Sequence, residues 1–194
     1  MRTKTPQYAE RILEAASRLF ASRSFHEVRM EDVAGEATVS KGTLYRYFHD
    51  KDELYVALLK RASGQITHLM TERVASQTTA REQLVALMEA VVAYFDEQPH
   101  LFQLIVRAEP QRELGKFPWQ EARDVGHRLV FEIMTEGTRK GELDIPEPHD
   151  AAMMLFGGIR AHIGYGRKPR PQGFVRGLVL DFLDGYDRRN RRGI

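Results

Sequence analysis

The sequence predicts an all-α protein of about nine helices, and three observations support this prediction. Apolar residues recur every three or four positions through most of the chain, which is the period of an amphipathic helix. No segment alternates apolar and polar residues over the length of a strand. Proline residues and capping-box pairs mark the starts of successive helical segments. The 194 residues suffice for one or two domains with a buried core.

The N-terminal quarter of the sequence predicts three helices and the start of a fourth. Thr5-Pro6 opens the first helix as a cap residue followed by proline at the first helical position. Two short helical patterns lie between residues 30 and 48. Asp50 and Glu53 have capping-box spacing and start a longer helix. The apolar stripe of the first helix comprises Ile12, Leu13, Ala16, Leu19 and Phe20.

The remaining residues predict five more helices. Thr79 and Glu82 repeat the capping-box spacing before a strongly apolar stripe, and Pro118 opens another helix at its first position. The breaks between these helices fall at Pro99, the loop 109–117, Gly141, the turn 145–148 and the basic loop 167–171.

Composition excludes several classes of protein. No run of about 18 apolar residues is present, so we expect no membrane span and no membrane partner. The N-terminus does not have the pattern of a signal peptide. The absence of cysteine excludes disulfides and thiol catalysis and fits a cytoplasmic protein. The seven histidines form no metal motif, and no phosphate loop or catalytic constellation stands out, so we expect no metal, no cofactor and no enzymatic activity.

The segment 38–48 predicts a helix that reads DNA. It follows a short helical pattern, and two short helices joined by a tight turn form a helix-turn-helix. On a helical wheel Leu44 and Phe48 face inward, and the other side chains face outward. We expect base edges to be approached by Gly42, Thr43 and Tyr45, and phosphates by Lys41, Arg46 and Tyr47. The alternative is an ordinary polar surface helix.

The same segment resembles a known family. Ser40-Lys41-Gly42-Thr43-Leu44-Tyr45-Arg46-Tyr47-Phe48, followed by Lys51 and Leu54, is similar to the signature of the tetracycline-repressor (TetR) family of bacterial regulators. The specific resemblance covers roughly residues 8 to 58. It implies the same DNA-reading roles for the outward residues and a phosphate contact for Lys51. The free N–H groups at the start of a helix also favour an anion near Lys51.

Two positions depart from the family's pattern and bear on the docking angle. Thr38 stands in the turn where the family usually has Gly, which adopts a positive φ without strain. Val28-Arg29 stands where the family often has paired Thr, so an N-cap hydroxyl is lost and Arg29 offers a cation to a phosphate. Lys4 precedes the first helix in an arm that either contacts DNA or only solubilises the chain.

The resemblance also implies a C-terminal domain for a small ligand and for dimerisation. We expect residues 1–50 to form the DNA-binding domain and residues 51–194 the ligand-binding and dimerisation domain. Small residues on the penultimate helix allow a neighbour's close approach, and in the family the last two helices pair across a two-fold axis. The expected interface residues are Gly157, Ala161, Val175, Leu178, Val179 and Phe182, and the alternative is that they pack inside the chain, which must hold for some of them. The expected pocket residues are Met88, Phe95, Phe102, Trp119, Arg123, His127 and Phe156, each of which could equally be core.

These observations predict a ligand-responsive DNA-binding transcriptional regulator, most simply a repressor that a small molecule releases from a palindromic operator. The expected partners are double-stranded DNA, a second copy of the chain and a small effector of unknown chemistry. One alternative is a small-molecule sensor or scaffold of the same fold without specific DNA binding. The other is an α-helical enzyme that uses the C-terminal cavity, which the missing acid–base groups disfavour.

Overall fold

A computed structural model of the chain describes residues 6–108 and 118–186. These residues contain nine helices and no strand, which confirms the predicted all-α fold. The predicted loop over 109–117 and the predicted contact residue Lys4 lie outside the described residues. The helices are α1 (Pro6–Ser22), α2 (Met30–Glu36), α3 (Lys41–Tyr47), α4 (Lys51–Ala75), α5 (Ala80–Glu97), α6 (Pro99–Ala108), α7 (Pro118–Arg139), α8 (Pro148–Tyr165) and α9 (Phe174–Tyr186).

The described residues form two compact units. The first contains residues 6–63, 98–108, 118 and 119, and the second contains residues 64–97 and 120–186. Helix α4 therefore contributes its first half to one unit and its second half to the other. The predicted boundary at residue 50, between the DNA-binding domain and the ligand-binding and dimerisation domain, stays a prediction.

The first unit packs α1, α2 and α3 around a small apolar core. Ile12 of α1, Leu44 of α3 and Leu54 of α4 are completely buried. Helix α6 belongs to the same unit because the Tyr55 hydroxyl donates a hydrogen bond to the carbonyl oxygen of Leu104.

A second polar contact joins α6 to α1. Ser17 Oγ and His100 Nε2 share a hydrogen bond of 3.1 Å, and burial lowers the pKa of His100. The two contacts place α6 against α1 and the first half of α4.

The second unit is built around α5, which packs against α8 and α9. Val175, Val179 and Leu183 line the inner face of α9 and are buried. The predicted interface residues Val175 and Val179 therefore lie in the core of the chain. The sequence shows an apolar stripe on α9, but the helical period alone does not tell which part of the stripe α5 covers.

The loop between α8 and α9 is fixed to α5 by an ion-pair cluster. Arg170 Nε lies 2.7 Å and its Nη2 3.1 Å from the two carboxylate oxygens of Asp96, and Lys168 Nζ lies 2.8 Å from the same carboxylate. Burial alone would raise the pKa of Asp96, but the hydrogen bonds from Arg170 and Lys168 hold it below its usual value. None of the helices in the described ranges has the length and apolar character needed to cross a membrane.

Candidate DNA-reading surface

The turn between α2 and α3 is a Schellman motif with threonine in the left-handed position. The Val39 N–H donates to the Ala34 carbonyl at 2.9 Å, and the Thr38 N–H donates to the Gly35 carbonyl at 3.0 Å. Thr38 has a φ of +53°. The chain therefore keeps the backbone conformation that Gly normally adopts at this point, although threonine resists it.

Ser40 caps the start of α3, and two apolar side chains determine which face of the helix is buried. Ser40 Oγ accepts a hydrogen bond of 3.1 Å from the Thr43 N–H, which satisfies one of the free donors at the helix start. Leu44 is fully buried, and Phe48 is 7% exposed. These two inward residues fix which face of α3 points outward, as the helical wheel predicted.

The outward face of α3 presents Gly42, Thr43 and Tyr45. A Cβ atom at Gly42 would meet no protein atom closer than Ser40 Oγ at 4.0 Å, so the fold does not require glycine there. The Thr43 hydroxyl lies 2.9 Å from Ser40 Oγ, and the Tyr45 side chain is 44% exposed. A glycine without an internal packing role, beside an exposed ring and a hydroxyl, leaves room for base edges to approach the backbone.

The three flanking residues differ in their accessibility. Lys41 is exposed, with its Nζ 3.3 Å from Glu31 Oε1, and Arg46 is exposed, with its guanidinium 5.5 Å from the centre of the Tyr47 ring. Tyr47 itself is only 8% exposed. Its ring centre lies 6.3 Å from that of Tyr8 in α1. The helical wheel predicted an outward flank for Tyr47, and the structure instead buries most of this side chain.

The two cations outside α3 have different surroundings. The Lys51 ammonium donates to the carbonyl oxygens of Phe25 at 2.8 Å and Val28 at 3.1 Å, so it fastens the start of α4 to the chain before α2. Arg29 is the N-cap residue of α2, and its backbone N–H donates to Asp32 Oδ2 at 3.1 Å. The Arg29 side chain is exposed. The phosphate roles of both residues stay predictions.

The predicted pocket residues divide between the two units. Phe102 of α6 and Trp119 of α7 belong to the first unit; the other five belong to the second. Met88 and Phe95 are buried on α5. The rings of His127 and Phe156 lie 4.4 Å apart, and His127 Nδ1 is buried without a hydrogen-bond partner among the described residues. Burial, followed by the nearby charge of Arg123, lowers the pKa of His127.

The predicted dimer residues that are not in the core retain solvent exposure on α8 and α9. Gly157 and Ala161 of α8 are exposed, and Leu178 and Phe182 of α9 are partly exposed. The neighbouring Met154 is 61% exposed, and Tyr165 at the end of α8 is 92% exposed. The exposure of Met154 and Tyr165 was not predicted from the sequence, because an apolar residue on a helix is usually core. Within the described ranges no cluster of His, Asp and Glu side chains is arranged to hold a metal ion.

A buried anchor beneath α3, a tight turn before it and an exposed polar face define a helix-turn-helix DNA-binding protein. Residues 12–58 match the family model described as "Bacterial regulatory proteins, tetR family". Residues 12–58 therefore carry the DNA-binding domain of the TetR family of bacterial transcriptional regulators, and the chain is a ligand-responsive DNA-binding regulator. This confirms the resemblance seen in the sequence of the reading segment.

Individual relatives are similar along most of the chain. The "Fatty acid metabolism regulator protein" of Bacillus subtilis strain 168 is 29% identical over 165 residues, which cover 82% of each chain. A transcriptional regulator from Saccharomonospora viridis, solved in complex with choline, has a TM-score of 0.80 at 22% identity and covers 93% of this chain and 97% of that one. The Bacillus subtilis regulator FadR, solved with stearoyl-CoA, has a TM-score of 0.68 at 24% identity, covering 90% and 95%. The two solved structures show that the fold is shared.

Proposed function

We propose that this chain is a homodimeric repressor that binds a palindromic operator through α3 and releases it when a small molecule binds the C-terminal domain. The exposed face made by Gly42, Thr43 and Tyr45 over the buried anchor Leu44 is the observation that carries this proposal. Two such faces related by a two-fold axis read half-sites about one turn of DNA apart. Lys41, Arg46, Arg29 and Lys51 are the proposed phosphate contacts, and Lys4 is the proposed contact from the arm before α1.

The open surface of α8 and α9 supports dimerisation through these helices. A Cβ atom at Gly157 or Gly158 would meet nothing within 4 Å, so neither glycine is required by packing inside the chain. Small residues without an internal role let a second backbone approach closely. The partly exposed Leu178 and Phe182 and the exposed Met154 supply apolar area for an obligate contact. Val175 and Val179 support this surface from the core.

The proposed effector is a long-chain fatty acyl thioester. The similarity to a fatty acid metabolism regulator and to a stearoyl-CoA complex supports this class. The interior of the second unit also supports it, because Met70, Met88 and Met134 are almost completely buried. Methionine side chains are flexible and can move aside for an alkyl chain. No Asp or Glu is buried among the described residues of this unit, so a cationic effector such as choline lacks a buried counter-ion.

The release mechanism follows from linkage between two binding sites. An effector lowers operator affinity only if it binds more tightly to the state that cannot dock on DNA. Operator DNA must then weaken effector binding by the same factor. Helix α4 is the proposed connecting element because it runs without a break from the first compact unit into the second. As a DNA-binding regulator, the chain is proposed to act in the cytoplasm and without catalysis.

Selection of bound duplexes from a random DNA library tests the proposal directly. We expect an enriched palindrome with purified protein, and a different enriched sequence or none with a Tyr45→Ala variant that retains its fold. Stearoyl-CoA should then release the operator, whereas free coenzyme A and choline should not. Release by choline alone would replace the proposed effector class while leaving the repressor function intact.

A sensor without specific DNA binding is the second candidate function. The observation that favours it is the internal engagement of two predicted phosphate contacts, since Lys51 bonds two backbone carbonyls and Tyr47 is mostly buried. In that case the library would yield no enriched sequence, although the purified protein would be folded and dimeric.

A further inference from the structure

Arg11 of α1 reaches the turn that sets the direction of the reading helix. Its Nη2 atom donates a hydrogen bond of 2.8 Å to the carbonyl oxygen of Ala37 and lies 3.3 Å from that of Thr38. Ala37 is the C-cap residue of α2, and Thr38 is the left-handed residue that follows it. One side chain from a helix more than twenty residues away therefore contacts both residues at which the backbone changes direction.

Two features of the turn favour a guanidinium beside it: the free carbonyl groups at the end of α2 and the left-handed backbone of Thr38. The last carbonyls of a helix have no partner within the helix and carry partial negative charge, so a cation that donates to them is favourable. A left-handed backbone also disfavours every residue except glycine, with asparagine and aspartate the least penalised of the others. Thr38, with its φ of +53°, is β-branched and therefore needs support from outside the turn.

A ring contact extends the same link to α3. The Arg11 guanidinium lies 5.7 Å from the centre of the Tyr8 ring, and the Tyr8 ring lies 6.3 Å from that of Tyr47. Tyr8 and Arg11 are three positions apart and so project from the same side of α1. This side of α1 contacts α3 at Tyr47 and the turn before α3 at Ala37 and Thr38.

We propose that Arg11 is a positioning residue for DNA recognition: it holds the left-handed turn at Thr38 and thereby fixes the docking angle of α3. Arg11 acts through the turn and makes no contact with DNA in this mechanism. The contact from Arg11 compensates for the backbone strain of Thr38, which glycine at this position would not have. Without Arg11, only a fraction of the molecules presents α3 at the docking angle, and operator affinity falls by that fraction.

Four variants separate this role from a direct phosphate contact and from general destabilisation. Arg11→Ala removes the contact, and Arg11→Lys keeps the charge but loses the planar fork. Arg11→Ala combined with Thr38→Gly removes the contact and the strain together. Arg18→Ala is the matched control, because Arg18 is an exposed arginine on the same helix that pairs with the Glu36 side chain of α2 at 2.8 Å and does not bond the turn.

The first readout is amide hydrogen exchange of Val39, measured without DNA. The Val39 N–H donates to the Ala34 carbonyl oxygen across the turn. We expect Arg11→Ala to lower its protection about ten-fold, Arg11→Lys to have a smaller effect and Arg18→Ala to have none. The double variant should regain the protection of the parent chain. Protection that is unchanged in Arg11→Ala, or that Thr38→Gly does not restore, would overturn the proposal without bearing on DNA binding.

The second readout is affinity for the operator duplex as a function of salt, at a temperature where every variant is folded. We expect Arg11→Ala to weaken binding about ten-fold with an unchanged salt slope, and Thr38→Gly to restore the affinity. A salt slope smaller by about one unit would show that Arg11 contacts a phosphate instead, and would also overturn the proposal. Loss of all DNA binding in the parent chain would count against the proposed function and leave the exchange result as the decisive test.

Discussion

The ammonium group of Lys51 donates a hydrogen bond of 2.8 Å to the carbonyl oxygen of Phe25 and lies 4.3 Å from the centre of the Phe25 ring. The same nitrogen donates to the Val28 carbonyl, so the first turn of α4 is fastened to the segment that precedes α2. An ammonium has three N–H donors, and two of them are used here. Lys51 therefore fastens the start of α4, and one N–H donor remains beyond these two hydrogen bonds.

Lys51→Ala should lower both the stability of the N-terminal unit and its affinity for DNA. Two partly buried carbonyls lose a charged donor, which costs about 1–3 kcal/mol of unfolding free energy. Lys60→Ala, at an exposed position of the same helix, is the control and should change neither property. Thermal unfolding and operator titrations at several salt concentrations measure the two effects. A salt slope equal to that of the parent chain would remove Lys51 from the phosphate contacts.

Thr38→Gly should stabilise the protein because glycine adopts the observed φ of +53° without steric cost. The gain is limited by the greater freedom of glycine in the unfolded chain, so we expect about 0.5–1 kcal/mol. Thr71→Gly in α4 is the matched control, because Thr71 has helical backbone and the change should destabilise slightly. Denaturant unfolding compares the two. If Thr38→Gly lowers the free energy of unfolding, the contacts of the threonine side chain stabilise the fold by more than the backbone strain destabilises it.

The sequence was sufficient to predict the reading helix because its determinants are local. Ser40 caps α3 at the position where the pattern begins, and Leu44 and Phe48 are buried as the helical period requires. Tyr47 was less predictable. In a helix of seven residues it falls on the flank of the wheel, and one of the rings it packs near belongs to Tyr8, which lies 39 positions earlier. Contacts of this kind depend on how helices pack, and no local pattern reports them.

The same distinction explains the C-terminal helices. The spacing of Val175, Val179 and Leu183 predicts an apolar stripe, and α5 covers it. Whether such a stripe contacts the chain itself or a second copy depends on the partner helix rather than on the stripe. Arg11 was missed for a related reason: an arginine on an amphipathic helix is usually solvated, and its acceptors are backbone carbonyls that have no sequence signature.

Base-reading and phosphate-contacting residues should respond differently to substitution. Thr43→Ala should change which operator sequences are preferred, because each base contact contributes about 1–3 kcal/mol of discrimination. Arg46→Ala should weaken binding to all duplexes about equally and reduce the salt slope by about one unit. Library selection measures the first effect and salt-dependent titration the second. If Thr43→Ala weakens binding to all operator sequences equally, Thr43 contacts phosphates rather than bases.

Acid should destabilise the contact between α1 and α6. Burial lowers the pKa of His100 in the folded chain, so the unfolded chain binds a proton more readily. The stabilising effect of the neutral ring is therefore fully present above the unfolded pKa of about 6.5 and is lost as the pH falls below it. His100→Gln should flatten this dependence as the pH falls below about 6.5. Thermal unfolding across this pH range is the measurement.

Enlarging Gly157 should separate the two copies of the chain while leaving each copy folded. A Cβ atom at this position would meet nothing within 4 Å inside the chain, and leucine favours a helix more than glycine does. Gly157→Leu should therefore be neutral or stabilising for the isolated chain, but it should hold a second α8 too far away to pack. Gly64→Leu in α4 is the matched control, since its Cβ is equally unobstructed and Gly64 lies outside the proposed interface.

Sedimentation over a range of protein concentrations distinguishes the outcomes. We expect the parent chain and the Gly64→Leu variant to form dimers. The Gly157→Leu variant should be monomeric at concentrations where the other two are still dimeric. A dimer of unchanged affinity in Gly157→Leu would move the interface away from this part of α8. Monomers should also bind a single half-site with far lower affinity than the dimer binds the palindrome, because the second reading helix is no longer held at high effective concentration.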